Sequence, residues 1–138
     1  MGRPPTSRSN GGPARADLMS QKKILLADDS SVVTTVLATA LEKEGFAIEV
    51  AVDGQEAYDL GKNGDFDLAV LDQLMPGLLG LEIIKRWHDE GIDMPVMILS
   101  AVSDDTTAVK SMELGAADFV RKPFQLPELI ARIRSRLT

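Results

Sequence analysis

From Lys22 onward, short apolar runs alternate with longer stretches in which apolar positions recur every three or four residues. Ile24–Ala27, Ala47–Ala51, Leu68–Leu71, Val96–Leu99 and Asp118–Arg121 have the length of strands and are spaced by about one strand-helix unit. Several are apolar throughout, the pattern of a parallel sheet covered on both faces. Between them, Val33, Val36, Leu37, Ala40 and Leu41 form a helical stripe, with Ser30 or Ser31 as its N-cap and Gly45 as its stop. Asp53 and Glu56 have capping-box spacing for a second helix. A third is predicted over about Gly80–Glu90 and a fourth over Asp104–Leu114, each ended by a glycine. The last carries Leu126, Ile130, Ile133 and Leu137 on one stripe, with Pro127 tolerated in its first turn.

Such a string of βα units folds most economically as an open, doubly wound parallel sheet, because right-handed crossovers place helices on both faces. At 138 residues, 44% of them hydrophobic and 26% charged, the chain has the size and composition of one globular domain. Apolar runs such as Val96–Leu99 are far too short to cross a bilayer. Residues 1–18 are dense in Gly, Pro, Ser and Arg and lack periodicity, so they read as a flexible tail. An expression leader is favoured over a native extension, with a natural start at Met19-Ser20 and the domain over residues 19–138.

Charge and chemistry narrow the picture. Arg3, Arg8 and Arg15 outweigh Asp17 in the tail, so the folded part is even more acidic than the chain's net charge of −6. With no broad basic face to neutralise phosphates, direct nucleic-acid binding by this domain is not expected. The absence of cysteine excludes disulfides and thiolate chemistry, and His88, the one histidine, is read as a surface residue near a helix C-terminus.

Ligands of doubly wound sheets bind beyond the carboxyl ends of the strands. Asp28 and Asp29 follow the first strand, Asp72 the third, Ser100 ends the fourth and Lys122 the fifth. Three carboxylates at one sheet edge repel one another, and a hard, oxygen-seeking dication stabilises them; Mg²⁺ is favoured because it needs only one or two direct carboxylates. Lys122 supplies a positive charge and Ser100 a hydroxyl donor for a phosphoryl group. No glycine-rich nucleotide loop is present, which leaves a carboxylate able to attack phosphorus and form an aspartyl phosphate. In isolation each residue has a plainer reading: a helix cap for Asp28-Asp29, a turn-starting Asp72 before Met75-Pro76-Gly77, a strand-end Ser100, a solvated Lys122.

Four motifs in register, LLADDSS, DQLMPGLLG, LSA and Lys122-Pro123-Phe124, resemble the receiver domain of two-component response regulators, over residues 22–138. The resemblance implies a flavodoxin-like α/β fold with five helices and strand order 2-1-3-4-5. It implies phosphoryl transfer to Asp72 from a histidine kinase or a histidine phosphotransfer protein, in the cytoplasm. Asp29 and Asp72 would ligate Mg²⁺ directly, Asp28 mainly through water, and the Leu74 carbonyl would complete the protein ligands. Lys122 would pair with the phosphoryl oxygens, Ser100 would move to bond them, and Phe119 would change rotamer with Ser100. A cis Lys122–Pro123 peptide is likewise implied.

The chain departs from the family pattern at two places. Leu79 stands where an acidic residue is frequent, and Leu78, Leu79 and Leu81 cannot all face inward on one turn. Ala117 replaces a frequent Asp, which weakens the expectation of a dimer through the fourth and fifth helices. The resemblance implies that Leu74 and Val102 flank the approach to the phosphorus, and since neither can orient a water, a long-lived aspartyl phosphate is expected. The expected role is a switch, stand-alone or part of a longer regulator, acting on a downstream target or its own output domain, with chemistry limited to self-phosphorylation and slow self-hydrolysis. A Mg²⁺-dependent phosphohydrolase is disfavoured because no second acid follows Asp72 at a suitable spacing. A phosphorylation-independent interaction module would be signalled by loss of an acidic residue or of Lys122, and none is lost.

Overall fold

A computed structural model of the chain describes residues 21–101 and 105–137. The expected tail over residues 1–18 and the tuning position Val102 lie outside the described residues. Strands β1 (Lys23–Ala27), β2 (Ala47–Ala51), β3 (Leu68–Asp72), β4 (Val96–Ser100) and β5 (Asp118–Arg121) alternate with helices α1 (Ser31–Lys43), α2 (Gly54–Asn63), α3 (Gly80–Asp89), α4 (Asp105–Glu113) and α5 (Leu126–Leu137). All neighbouring strands pair in parallel, in the order β2-β1-β3-β4-β5. This is the expected doubly wound fold, with the strand order reversing between β1 and β3, where the crevice at the carboxyl edge opens.

Burial divides the strand residues by alternation, as a two-faced sheet requires. Leu25, Ala27, Ala69, Leu71 and Ile98 pack on one face with Ala57 and Tyr58 of α2 and Ile83, Ile84 and Trp87 of α3. Ile24, Leu26, Leu68, Val70, Met97 and Leu99 pack on the other with Leu37 and Leu41 of α1 and Leu129 and Ile133 of α5. Both central strands β3 and β4 are buried along their whole length.

Two of the predicted stripes are rotated. In α1, Val36 is 52% exposed, and Thr34 is buried beside Leu37 and Leu41. The packed line is therefore Thr34-Leu37-Leu41, and Val36, about 100° round the helix from Leu37, turns to solvent. In α5 the fully buried positions are Leu129 and Ile133, with Leu126, Ile130 and Leu137 only partly covered. Of the clustered leucines, Leu78 is 7% exposed and Leu79 39%. His88 is exposed in the last turn of α3, as read.

Helix starts follow the local polar residues. The Ser30 hydroxyl accepts the Val33 N–H, so Ser30 is the cap of α1. The Asp53 side chain accepts the Glu56 N–H at 2.8 Å, while the Glu56 carboxylate reaches back to the Val52 N–H, one residue beyond the reciprocal pattern expected. Gly54, the first residue of α2, donates its N–H to the Pro76 carbonyl at 2.8 Å. A Cβ there would lie 2.1 Å from the Leu78 carbonyl oxygen, so only glycine lets α2 and the loop after β3 meet this closely.

Candidate functional site

Parallel strands deliver all their carboxyl ends to one edge, and four chemistry-bearing residues converge there. Asp28, one residue past β1, is 1% exposed, and Asp72, the last residue of β3, is 6% exposed. Asp29 is exposed beside them. Carboxylate oxygens from Asp28, Asp29 and Asp72 lie within 4.8 Å of one another. Lys122, just past β5, places its Nζ 2.8 Å from Asp28 Oδ2 and 3.4 Å from Asp72 Oδ1.

Main-chain hydrogen bonds hold Asp28 and Lys122 in place. Asp28 Oδ1 accepts the Ser30 N–H at 2.9 Å, which leaves the capping of α1 to Ser30 and turns Asp28 Oδ2 toward Lys122. The Lys122 N–H donates to the Ser100 carbonyl at 2.8 Å, so the lysine and the buried serine that ends β4 are joined by main chain. Ser100 is 1% exposed. The Lys122–Pro123 peptide is cis.

Electrostatics are those of carboxylates clustered around a single ammonium. Burial, and next the nearby Asp28 charge, hold the Asp72 carboxyl above the usual carboxylate range, against the lowering influence of Lys122. For Lys122, burial works to lower the pKa, but the hydrogen bond to Asp28 and the charge of Asp72 outweigh it and leave the ammonium above its ordinary value. The lysine is thus charged throughout the physiological range, with the Asp28 and Asp72 carboxylates against it. Hard oxygen donors on three sides are the ligand set of Mg²⁺ rather than of a softer metal, so the residues fit that ion.

Other predicted residues fall around this centre with different degrees of closeness. Leu74 is 53% exposed on the loop that leaves β3. Phe119 is half-buried, packed against the cluster on the α2–α3 face with the Arg121 guanidinium 5.5 Å from its ring centroid. It also lines a cleft of about 330 Å³ with Phe124 and Arg132. A larger cleft, about 500 Å³, lies between β2 and α2 with Glu49, Glu56 and Asp59 on its rim, away from this chemistry.

The sequence reading missed Gln73. It is 7% exposed and ties the loop after Asp72 to β4 and α3 through three hydrogen bonds. The available signal was a polar side chain directly after a fully buried strand.

Comparison with known proteins agrees with this geometry. The family model for the response regulator receiver domain matches residues 24–134. The transcriptional regulatory protein TcrA of Mycobacterium tuberculosis is 37% identical over 131 residues, covering 94% of this chain and 52% of that protein. The response regulator MprA of a Mycobacterium species is 40% identical over 115 residues, covering 83% of this chain and 50% of its own length. The chain therefore spans about half the length of these relatives. Among solved structures, the receiver domain of the Francisella response regulator 1452 superposes with a TM-score of 0.81 at 33% identity, over 85% of this chain and 97% of that one. Sequence, strand order and the family match agree: the chain belongs to the response regulator receiver domains of two-component signal transduction.

Proposed function

We propose that Asp72 is the phosphoacceptor of this receiver, taking its phosphoryl group from a phosphohistidine on a histidine kinase or histidine phosphotransfer protein in the cytoplasm. The observation that carries the reading is Lys122 Nζ lying between Asp28 and Asp72 at the carboxyl edge of the sheet. An ionised Asp72 oxygen attacks phosphorus, forming the new O–P bond as the N–P bond breaks, and the bonding electron pair returns to the departing imidazole. Lys122 meets the charge on the phosphoryl oxygens, and the Ser100 hydroxyl moves to bond one of them after transfer. Asp29, Asp72 and the Leu74 carbonyl would hold Mg²⁺, with Asp28 acting through water; the ion would supply charge neutralisation for the incoming phosphoryl group. Receiver domains are phosphoacceptor switches rather than turnover enzymes, and the reader of this one is a downstream protein or an output unit of a longer chain. Phe119, half-buried beside Arg121, is the side chain to change rotamer with Ser100.

Incubation with acetyl phosphate and Mg²⁺ is expected to add one phosphoryl group that hydroxylamine removes and that peptide mapping places on Asp72. An acid-stable label on Ser100 overturns the reading, and so does steady turnover of phosphate esters by catalytic amounts of protein. The lifetime of the product is expected to be long. Leu74, exposed at the rim, offers no group to orient an attacking water, and Val102 is the second such position. Leu74→Asn is expected to shorten the lifetime several-fold in a Mg²⁺-supplemented decay assay, and an unchanged or longer decay removes this role.

A further inference from the structure

We infer that Gln73 is a positioning residue of the phosphorylation site, which holds the Leu74 carbonyl where it can serve as a metal ligand. The inference rests on the proposed reading of Asp72 and Leu74 and adds a residue to it. Its basis is a set of three hydrogen bonds that converge on one residue. The Gln73 N–H donates to the Leu99 carbonyl of β4 at 2.8 Å, its carbonyl accepts the Gly80 N–H at 2.9 Å, and its Oε1 accepts the Leu81 N–H at 2.9 Å.

The first two N–H groups of α3 are therefore satisfied by a residue at the far end of the loop rather than by a neighbour. A helix N-terminus leaves these donors without intrahelical partners, and local side chains ordinarily take them. Here Leu79, at the N-cap, has no side-chain acceptor to offer them, and the one local bond, Glu82 Oε1 accepting the Leu79 N–H at 2.8 Å, falls on the residue before the helix. The side chain of Gln73 is thus a second, separate clamp, and the segment it closes is the loop 74–79. A primary amide that is 7% exposed costs free energy unless bonded, and the Leu81 N–H offsets that cost.

Leu74 has no hydrogen bond of its own among the described residues, so its neighbours set its peptide orientation. On one side stands Gln73. On the other, Met75 is 6% exposed and the Pro76 carbonyl accepts the Gly54 N–H at 2.8 Å. Rotation at Gln73 would swing the Leu74 carbonyl directly, whereas the second anchor is two residues away. Groups that hold a metal ligand from behind commonly set affinity by ~10–100-fold.

The test is calorimetric titration of the whole protein with Mg²⁺. Gln73→Met keeps the side-chain length and loses the acceptor; its Kd for Mg²⁺ is expected to rise about tenfold. Gln73→Glu keeps an acceptor for Leu81 N–H and is expected to bind at wild-type strength or tighter. Glu82→Ala removes the local clamp on the same helix and is expected to stay within about twofold of wild type. A Gln73→Met protein within twofold of wild type overturns the inference, as does an equal weakening by Glu82→Ala, which would make helix capping the whole effect. If Gln73→Met does not fold, Gln73→Asn, whose shorter side chain withdraws the acceptor from Leu81, is read by the same criteria. A wild-type protein that binds no Mg²⁺ and takes no label overturns the reading of the site itself, and Gln73 falls with it. Binding by wild type with no change in the Gln73 variants removes the positioning role alone.

Discussion

The Asp72→Asn protein is expected to take no phosphoryl group from acetyl phosphate and, without Mg²⁺, to melt at a higher temperature than wild type. The first effect is all-or-none because an amide oxygen carries no charge to direct at phosphorus, and the other two carboxylates are differently engaged. Asp28 has one oxygen on the Ser30 N–H and the other on Lys122, and Asp29 lies out in solvent. The second effect follows from the direction of the Asp72 pKa, which burial and then the Asp28 charge raise. A carboxyl that binds its proton more tightly in the folded protein than in the unfolded chain opposes folding when ionised at neutral pH. Asparagine fills the same volume and removes that charge. Calorimetry in a chelating buffer reads the difference. A lower melting temperature for the variant would show that the attraction of Lys122 for Asp72 exceeds the repulsion from Asp28.

The strands were legible because each central one is apolar on both faces, a pattern that no amphipathic helix imitates at that length. Legible, too, was the gathering of Asp28, Asp72 and Lys122: once the strands are parallel, residues that follow them share an edge whatever the loops do. The rotated stripes have a different cause. Periodicity names the apolar residues of a helix, but where the helix rests on the sheet decides which of them is central, and Thr34 and Leu129 took those places. Ser30 against Ser31 was settled by which hydroxyl reaches an N–H three residues on. Gln73 was legible only as a polar residue directly after a buried strand. Its role depends on a hydrogen bond spanning eight residues, and that bond exists only once the loop has closed against Gly54. Phe119 illustrates the same limit, since its half-buried position, packed against the α2–α3 cluster with the Arg121 guanidinium over its ring, is set by tertiary packing.

Lys122→Met is expected to move two measurements in opposite directions: tighter binding of Mg²⁺, and phosphorylation of Asp72 slower by on the order of 10²-fold. In the folded protein the ammonium sits 2.8 Å from Asp28 and 3.4 Å from Asp72, within the cluster whose carboxylates would take the ion. A dication arriving there meets a like charge and must compete for the same oxygens, so removing the lysine favours its binding. The transfer step has the opposite need. Charge on the phosphoryl oxygens is met by the preorganised lysine, and methionine, with a similar stem and no charge, leaves it unmet. Folding stability without Mg²⁺ is also expected to fall, because the Asp28 side chain is 0% exposed and would lose the cation that compensates its burial. Breaking a buried pair in this way costs about 3–5 kcal/mol, and the lower end is expected here because Lys122 keeps 20% of its side chain exposed. Mg²⁺ titration and acetyl phosphate labelling on the same preparation separate the contributions. Should affinity and rate fall together, Lys122 serves to hold the carboxylates in place rather than to receive the phosphoryl group.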